Sequence, residues 1–284
     1  MKPVWYLEYC RMKRKVCKQV VYPIILMVLL FLICLVVEHI LPRFNATYMR
    51  WPDMVKDFLC LPGWDQKLWL NVWQLFALGY PFYIYYVVME GLACSVVAED
   101  RLETNRYLQN AGVGKYAFLF SKCMFWLLSF VISVAVLGGV DILLRMILQE
   151  STEIVNAITY YGTVLVIGVL YLSIALFVAV CNQNENRCSS VIAGILVIPW
   201  LISRISALVQ FFATLLVETG REGVVVERVS LAAQKLQALQ ILSPLTWCWP
   251  RLEVSSIEAL SAVVICILLS GMSFFVWSSR KVLR

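Results

Sequence analysis

The sequence contains few charged residues and a single histidine, and both shortages restrict what the protein can do. Charged residues make up 15% of the chain, whereas they make up about a quarter of an ordinary soluble domain. The one histidine is His39 and no CxxC pair occurs, so the ligand patterns of zinc sites are missing. Carboxylates fall mainly at the ends of apolar runs rather than in facing pairs. We therefore expect no catalytic residues, no metal site and no enzyme activity in this chain.

The sequence also lacks a loop of the kind that binds nucleotide phosphates. No stretch matches GxxxxGK[ST], because the stretch from Gly112 to Lys115 is too short and a tyrosine follows. No segment is long and polar enough to form a sizeable soluble domain. Any work that the protein performs must therefore draw energy from another chain or from an ion gradient. A gradient-driven carrier usually shows membrane-embedded acids or inverted repeats, and neither is clear in the sequence.

Long apolar runs dominate the chain. Hydrophobic residues make up 61% of it, and several runs approach or exceed the roughly 20 residues that cross a bilayer as a helix. The pattern predicts an all-α polytopic membrane protein that forms a single transmembrane domain over 1–284. Six transmembrane helices are predicted, at about 20–37, 68–88, 116–140, 157–180, 189–217 and 257–277.

Two further kinds of helix are predicted outside these spans. Residues 1–19 mix lysines and arginines with aromatic residues, which is typical of an amphipathic helix lying in the membrane interface; a disordered basic tail is the alternative. Between spans five and six, helix-spaced apolar residues and two tryptophans predict outer re-entrant or interfacial helices.

The distribution of basic residues predicts the orientation. The net charge is +6, and more than half of the lysines and arginines fall at the two termini, the loop between spans two and three, and the turn between spans four and five. An even number of spans places both termini on one side, and the positive-inside rule makes that side cytoplasmic. We expect a multi-pass protein of a bacterial cell membrane. Basic residues beside spans fit anionic lipid headgroups, so lipids are predicted partners and nucleic acid is not.

The stretch 99–122 is the longest polar interruption on the predicted cytoplasmic side. It begins with two acids, continues as a short charged helix over 101–110, and breaks at Gly112 and Gly114, which permit unusual backbone angles. A short helix held just outside the bilayer is suited to receive mechanical force from a soluble partner. A simple solvated loop is the alternative interpretation.

In this order of elements the chain resembles a permease subunit of the ABC-2 type of ATP-binding cassette transporter. In that family an acid, a basic mixed stretch, a Gly-Thr pair, leucines and a lysine that opens span three follow span two; Glu103 stands here where the family has the glycine. The fifth span carries a proline and leads to a Ser/Asn-Pro-Leu-Thr element. The matching residues here are Glu99, Arg101, Thr104, Leu108, Lys122, Pro199 and 243–246 (Ser-Pro-Leu-Thr).

The resemblance implies partners and a role for the 99–110 helix. A separate ABC ATPase subunit would dock beneath the membrane and bind ATP and Mg²⁺, so this chain would bind no cofactor itself. A second permease chain, identical or related, would complete the pathway. The cargo would be an amphipathic peptide, lipid-like molecule or drug, exported from the cell. The first alternative is a permease-like subunit that serves peptide immunity or mechanical work without transport. The second alternative is a secondary carrier. The expected contacts to the ATPase are Glu99, Asp100, Arg101, Glu103, Thr104, Tyr107 and Leu108.

Two further pairs of residues are candidates. Arg204 lies with Pro199 in the middle of span five, where a charge costs about 2.5–3.5 kcal/mol on insertion scales. Arg204 therefore meets either an anionic group in the pathway or a structural partner. Cys60 and Cys248 both fall in segments predicted to lie outside, so they are candidates for a disulfide.

Overall fold

A computed structural model gives the fold, and it describes residues 2–40, 68–101, 112, 114–147, 151–182, 184–218 and 256–280, together with 228, 229, 231, 232 and 235. Within these ranges, every residue except Gly112, Gly114, Asn182 and Asn184 is helical, and there is no strand. The predicted all-α fold class is thereby confirmed for the described chain.

Six long helices contain the six predicted spans, and each helix is longer than its span. α2 continues past the predicted span to Arg101, and α3 runs through residues that the sequence assigned to an outer connection. The helices are α1 (Lys2–Ile40), α2 (Leu68–Arg101), α3 (Lys115–Ile147), α4 (Ser151–Cys181), α5 (Glu185–Glu218) and α6 (Ser256–Arg280).

Two of these helices are long and apolar enough to cross a membrane, judged on the described residues. They correspond to Tyr116–Leu144 in α3 and Ala157–Cys181 in α4. Shorter apolar helical segments occupy Ile24–Ile33, Phe82–Ala98 and Val263–Ser279. The count of six spans remains a prediction.

The N-terminal part of the chain differs from the expected arrangement. The sequence predicted an interfacial helix at 1–19 and a separate span at 20–37, but residues 2–40 form one continuous helix. Pro23 lies inside it, and no glycine accompanies the proline to break the helix. Proline removes one backbone donor and leaves the helical conformation of its neighbours intact here.

The chain divides into two compact units. The first contains Met1–Pro23, Pro81–Ile195 and Glu253–Arg284, and the second contains Ile24–Tyr80 and Leu196–Leu252. In the first unit α4 packs against both α3 and α6. In the second, the outward faces of the helices are apolar, with Ile25, Leu29, Ile205 and Phe212 among the exposed side chains.

The core of the first unit is built around aromatic side chains. The hydroxyl of Tyr85 donates a 2.8 Å hydrogen bond to the carbonyl of Val164 and so joins α2 to α4. The Tyr85 ring contacts those of Phe130 and Tyr171 at centroid distances of 5.8 and 5.0 Å. All three rings are about 1% exposed, so aromatic packing gives this core its shape.

Gly168 in α4 provides a test of that packing. A Cβ atom at Gly168 would overlap the ring of Phe130, whereas a Cβ at Gly162, in the same helix, would meet nothing within 4 Å. We expect Gly168→Ala to lower the free energy of unfolding by about 1–3 kcal/mol, as overpacking typically does. Gly162→Ala should be neutral or slightly stabilising, since alanine favours helix. Thermal unfolding in detergent compares the two, and equal melting temperatures would contradict the close contact.

Candidate functional site

The predicted ATPase contacts fall at the end of α2 and beyond it. Glu99, Asp100 and Arg101 are the last three residues of α2. Glu103, Thr104, Tyr107 and Leu108 lie outside the described residues, as do Cys60 and Cys248 of the candidate disulfide. Pro199 and Arg204 lie in α5.

The glycine break after this segment is confirmed at Gly112. Its φ angle is +82°, in the left-handed region that glycine adopts without steric cost. The carbonyl of Gly114 then accepts a 3.0 Å hydrogen bond from the backbone N–H of Phe118, and α3 begins. The segment predicted to couple to an ATPase is therefore connected to α3 through a residue suited to a sharp change of direction.

One turn further into α3, Lys122 joins three helices in a buried polar contact. Its Nζ lies 2.8 Å from Oε1 of Glu8 in α1 and donates a 2.8 Å hydrogen bond to the carbonyl of Ser95 in α2. The same Nζ lies 5.1 Å from the centre of the Phe118 ring in α3. We call Glu8, Ser95, Phe118 and Lys122 the Lys122 site.

Both charged side chains of the site are 0% exposed. Removing two charges from water is costly, and only their mutual attraction and added hydrogen bonds offset that cost. The contact between Lys122 and Glu8 is an ion pair by distance, but its angles are not those of a hydrogen bond, and neither Glu8 oxygen has a hydrogen-bond partner among the described residues. The hydrogen bond of Lys122 to the Ser95 carbonyl adds a directional contact between α3 and α2.

Aromatic rings cover the site from the side of α1 and α3. The Trp5 ring meets the Phe125 ring edge-on, with centroids 6.3 Å apart, and Phe125 meets Trp126 in the same way at 6.3 Å. Trp126 is 1% exposed, and its six-membered ring lies directly over Gly91 of α2. Only glycine leaves room for the indole there, so α2 and α3 pack closely beside the ion pair.

These contacts fix the local direction of α1. Trp5 contacts Phe125, while Glu8, later in α1, contacts Lys122, earlier in α3. Two helices running side by side in the same direction would pair later residues with later residues. The first turns of α1 therefore run across α3 or against it, and not alongside it in the same direction.

A second polar contact ties α2 to the start of α5. The hydroxyl of Ser189 donates a 2.9 Å hydrogen bond to Oε1 of Glu90, and the hydroxyl of Tyr86 lies 3.4 Å from the Ser189 Oγ atom. Glu90 is half-buried and contacts the helix that follows the turn between α4 and α5.

Asp141 is a buried acid that the sequence placed in an outer connection. It lies inside α3, is 1% exposed, and accepts a 3.2 Å hydrogen bond from the hydroxyl of Tyr161 in α4. A Cβ atom added at Gly138, one turn earlier, would lie 3.0 Å from the Tyr161 ring. The small residue at 138 therefore brings the tyrosine hydroxyl within reach of the carboxylate.

Glu8 is the other residue whose role the sequence did not reveal. It is three residues after Trp5 and four after Val4, and so shares their helix face. Val4 is 2% exposed, whereas Tyr6 is 71% and Tyr9 53% exposed. An acid on the apolar face of a basic helix was the sequence feature that could have marked Glu8, but its partner Lys122 lies far along the chain.

No protein-family model, curated protein or solved structure matches this chain.

Proposed function

We propose that the chain is the transmembrane permease subunit of an ABC-2 type transporter, driven by a separate ATPase subunit that binds ATP and Mg²⁺. Two permease chains would form the pathway for an amphipathic cargo, and both termini would face the cytoplasm. The segment 99–110 would bind the ATPase, with contacts from Glu99 through Leu108.

The observation that supports this function best is the Lys122 site. It joins the first turns of α1 to α2 and α3, which are the two helices that flank the proposed ATPase contact. A displacement of the 102–114 segment would act on the ends of α2 and α3 together, because the hydrogen bond from Lys122 to the Ser95 carbonyl and the Trp126–Gly91 contact hold these two helices to each other. Packed elements transmit displacement as units because they do not deform continuously.

The crossing of α1 and α3 supports the proposed arrangement of the N-terminus. A helix lying in the membrane interface crosses the transmembrane helices that it contacts. The first turns of α1 run across or against α3 and place Tyr6 and Tyr9 on the exposed face. Tyrosine at a water–lipid boundary keeps its ring in the apolar layer and its hydroxyl in water, which fits a lipid-facing role for this side of α1.

A gradient-driven carrier is the second candidate, and Asp141 favours it. A buried acid inside an apolar membrane-length helix is a common mark of proton or cation transport. Asp141 is buried in such a helix and receives the Tyr161 hydroxyl. This function would need no ATPase and no binding role for the 99–110 segment.

Co-purification separates the two candidates. The full chain is expressed in its native host, extracted in mild detergent and captured through a tag on this chain, and the captured proteins are searched for an ABC ATPase by mass spectrometry. We expect the ATPase to be retained, and Leu108→Arg to abolish its retention, because a charge would replace an apolar contact. Asn186→Arg, at an exposed position in the first turn of α5, is the matched control and should retain the ATPase. Failure of the original chain to hold any ATPase, together with uptake driven by a proton gradient, would instead support the carrier.

Cysteine labelling tests the orientation. Cys10 and Cys181 are exposed, whereas Cys188 is buried. Burial raises the pKa of the Cys188 thiol, and the nearby Glu185 carboxylate raises it further; the thiolate is the reactive form. In variants that keep one cysteine each, an impermeant maleimide should label Cys10 and Cys181 only after the cells are permeabilised. Cys188 should react slowly even then. Labelling of Cys181 in intact cells would contradict the proposed orientation.

A further inference from the structure

Three buried polar groups around the Lys122 site have no hydrogen-bond partner among the described residues. They are the indole N–H groups of Trp5 and Trp126 and the carboxylate of Glu8. Buried polar groups in folded proteins are nearly always hydrogen-bonded to protein or to ordered water. Three such groups around one ion pair therefore need a common explanation.

Helix spacing and two contacts place the residues that carry these groups at the junction of α1 and α3. Trp5 and Glu8 are three residues apart on α1, and Lys122 and Trp126 are four apart on α3, so each pair shares a helix face. The Trp5–Phe125 and Glu8–Lys122 contacts bring the two faces together. The six-membered ring of Trp126 lies over Gly91, so the indole cannot rotate freely to bring its N–H group to another acceptor.

The chemistry of the three groups restricts what can satisfy them. Two indole N–H groups require an acceptor, and an ionised carboxylate requires a donor. An anion would accept from the indoles but would be repelled by Glu8. A metal cation would attract Glu8 but could accept nothing from the indoles. Water both donates and accepts, and buried waters typically make about three hydrogen bonds to polar groups of this kind.

We propose that the Lys122 site is an internal hydration site, in which water bridges the Glu8 carboxylate and the indole N–H groups of Trp5 and Trp126. The water lies beside the ion pair, at the junction of α1 and α3. It completes the hydrogen bonding of Glu8, which Lys122 alone does not provide. The proposal concerns this chain alone and needs no assumption about an ATPase or a cargo.

Internal water has a consequence for the movement of α1. Separating a dry buried ion pair leaves two charges without solvent, which is strongly unfavourable. Water already bound to Glu8 solvates the carboxylate as the pair opens. The first turns of α1 can then leave α3 and return without exposing a bare charge to an apolar surface.

Hydroxyl-radical footprinting by synchrotron X-rays tests the proposal, because radicals formed from bound water modify the side chains beside it. The full-length protein in detergent is irradiated, and oxidation of each aromatic residue is measured by mass spectrometry. We expect Trp126 to be oxidised readily although it is 1% exposed, and Phe130, equally buried in the same helix, to be protected after correction for intrinsic reactivity.

A paired variant supplies the matched control. Glu8→Leu combined with Lys122→Met removes the charges that hold the water while keeping apolar volume. Oxidation of Trp126 should fall several-fold in this variant, to the level of Phe130, while oxidation of the exposed Tyr6 stays the same. A monodisperse elution profile and unchanged maleimide labelling of Cys181 verify that the variant is folded. Equal oxidation of Trp126 in both proteins, or protection of Trp126 in the original chain, would overturn the proposal.

Discussion

Replacing Lys122 with methionine should lower the free energy of unfolding by about 3–5 kcal/mol, the usual loss when one partner of a buried ion pair is removed. The cause is the carboxylate that stays behind. Glu8 is 0% exposed and would be left in an apolar setting without its counter-ion. The Ser95 carbonyl would lose its lysine donor as well. Thermal unfolding in detergent measures the loss, and Lys235→Met, at an exposed position, should change the stability by less than about 0.5 kcal/mol.

The double variant Glu8→Leu with Lys122→Met decides whether the charge or the packing matters. Replacing a buried ion pair by apolar residues of similar size is often neutral or stabilising. We therefore expect the double variant to recover most of the stability lost in Lys122→Met. A double variant as unstable as the single one would show that methylene packing of Lys122, and not its charge, holds the three helices together.

The helices could be predicted from the sequence because they depend on local pattern. Apolar runs of membrane length and the glycines at 112 and 114 mark where α3 begins, and they do so without knowledge of tertiary contacts. The helix α3 continues beyond the predicted end of span three, to Ile147. Asp141 lowers the local hydrophobicity, but no proline or glycine directly follows it, so the helix continues and the Tyr161 hydroxyl accommodates the acid.

The Lys122 site could be predicted only in part. Lys122 was matched to the lysine that opens the third span, whereas Glu8 was not singled out. Their pairing depends on how the first turns of α1 cross α3, which no local pattern specifies. The expected boundary between an interfacial helix at 1–19 and a span at 20–37 is likewise absent, because the helix is continuous there. The predicted contacts to an ATPase from Glu103 to Leu108 stay a prediction.

Gly91→Ala should be the most disruptive of the conservative core substitutions. A Cβ atom at Gly91 would overlap three atoms of the six-membered ring of Trp126. The indole is 1% exposed and lies against Phe125 on another side, so it has little room to move. Overpacking of this kind typically costs about 1–3 kcal/mol and occasionally more. Because Gly91 lies one turn before Ser95, the substitution should also weaken the hydrogen bond from Lys122 to the Ser95 carbonyl.

A double-mutant cycle with Trp126→Leu identifies the contact. Trp126→Leu alone should destabilise the protein, because large-to-small core changes leave a cavity. Combined with Gly91→Ala, it should cost less than the sum of the two single changes, since the alanine methyl enters the space that the indole vacates. Gly139→Ala, in α3 with nothing within 4 Å of its added Cβ, is the control and should leave the melting temperature nearly unchanged. Strictly additive effects of Gly91→Ala and Trp126→Leu would show that α2 and α3 do not meet at this pair. The Lys122 site would then lose the close helix contact that is proposed to let the two helix ends move together.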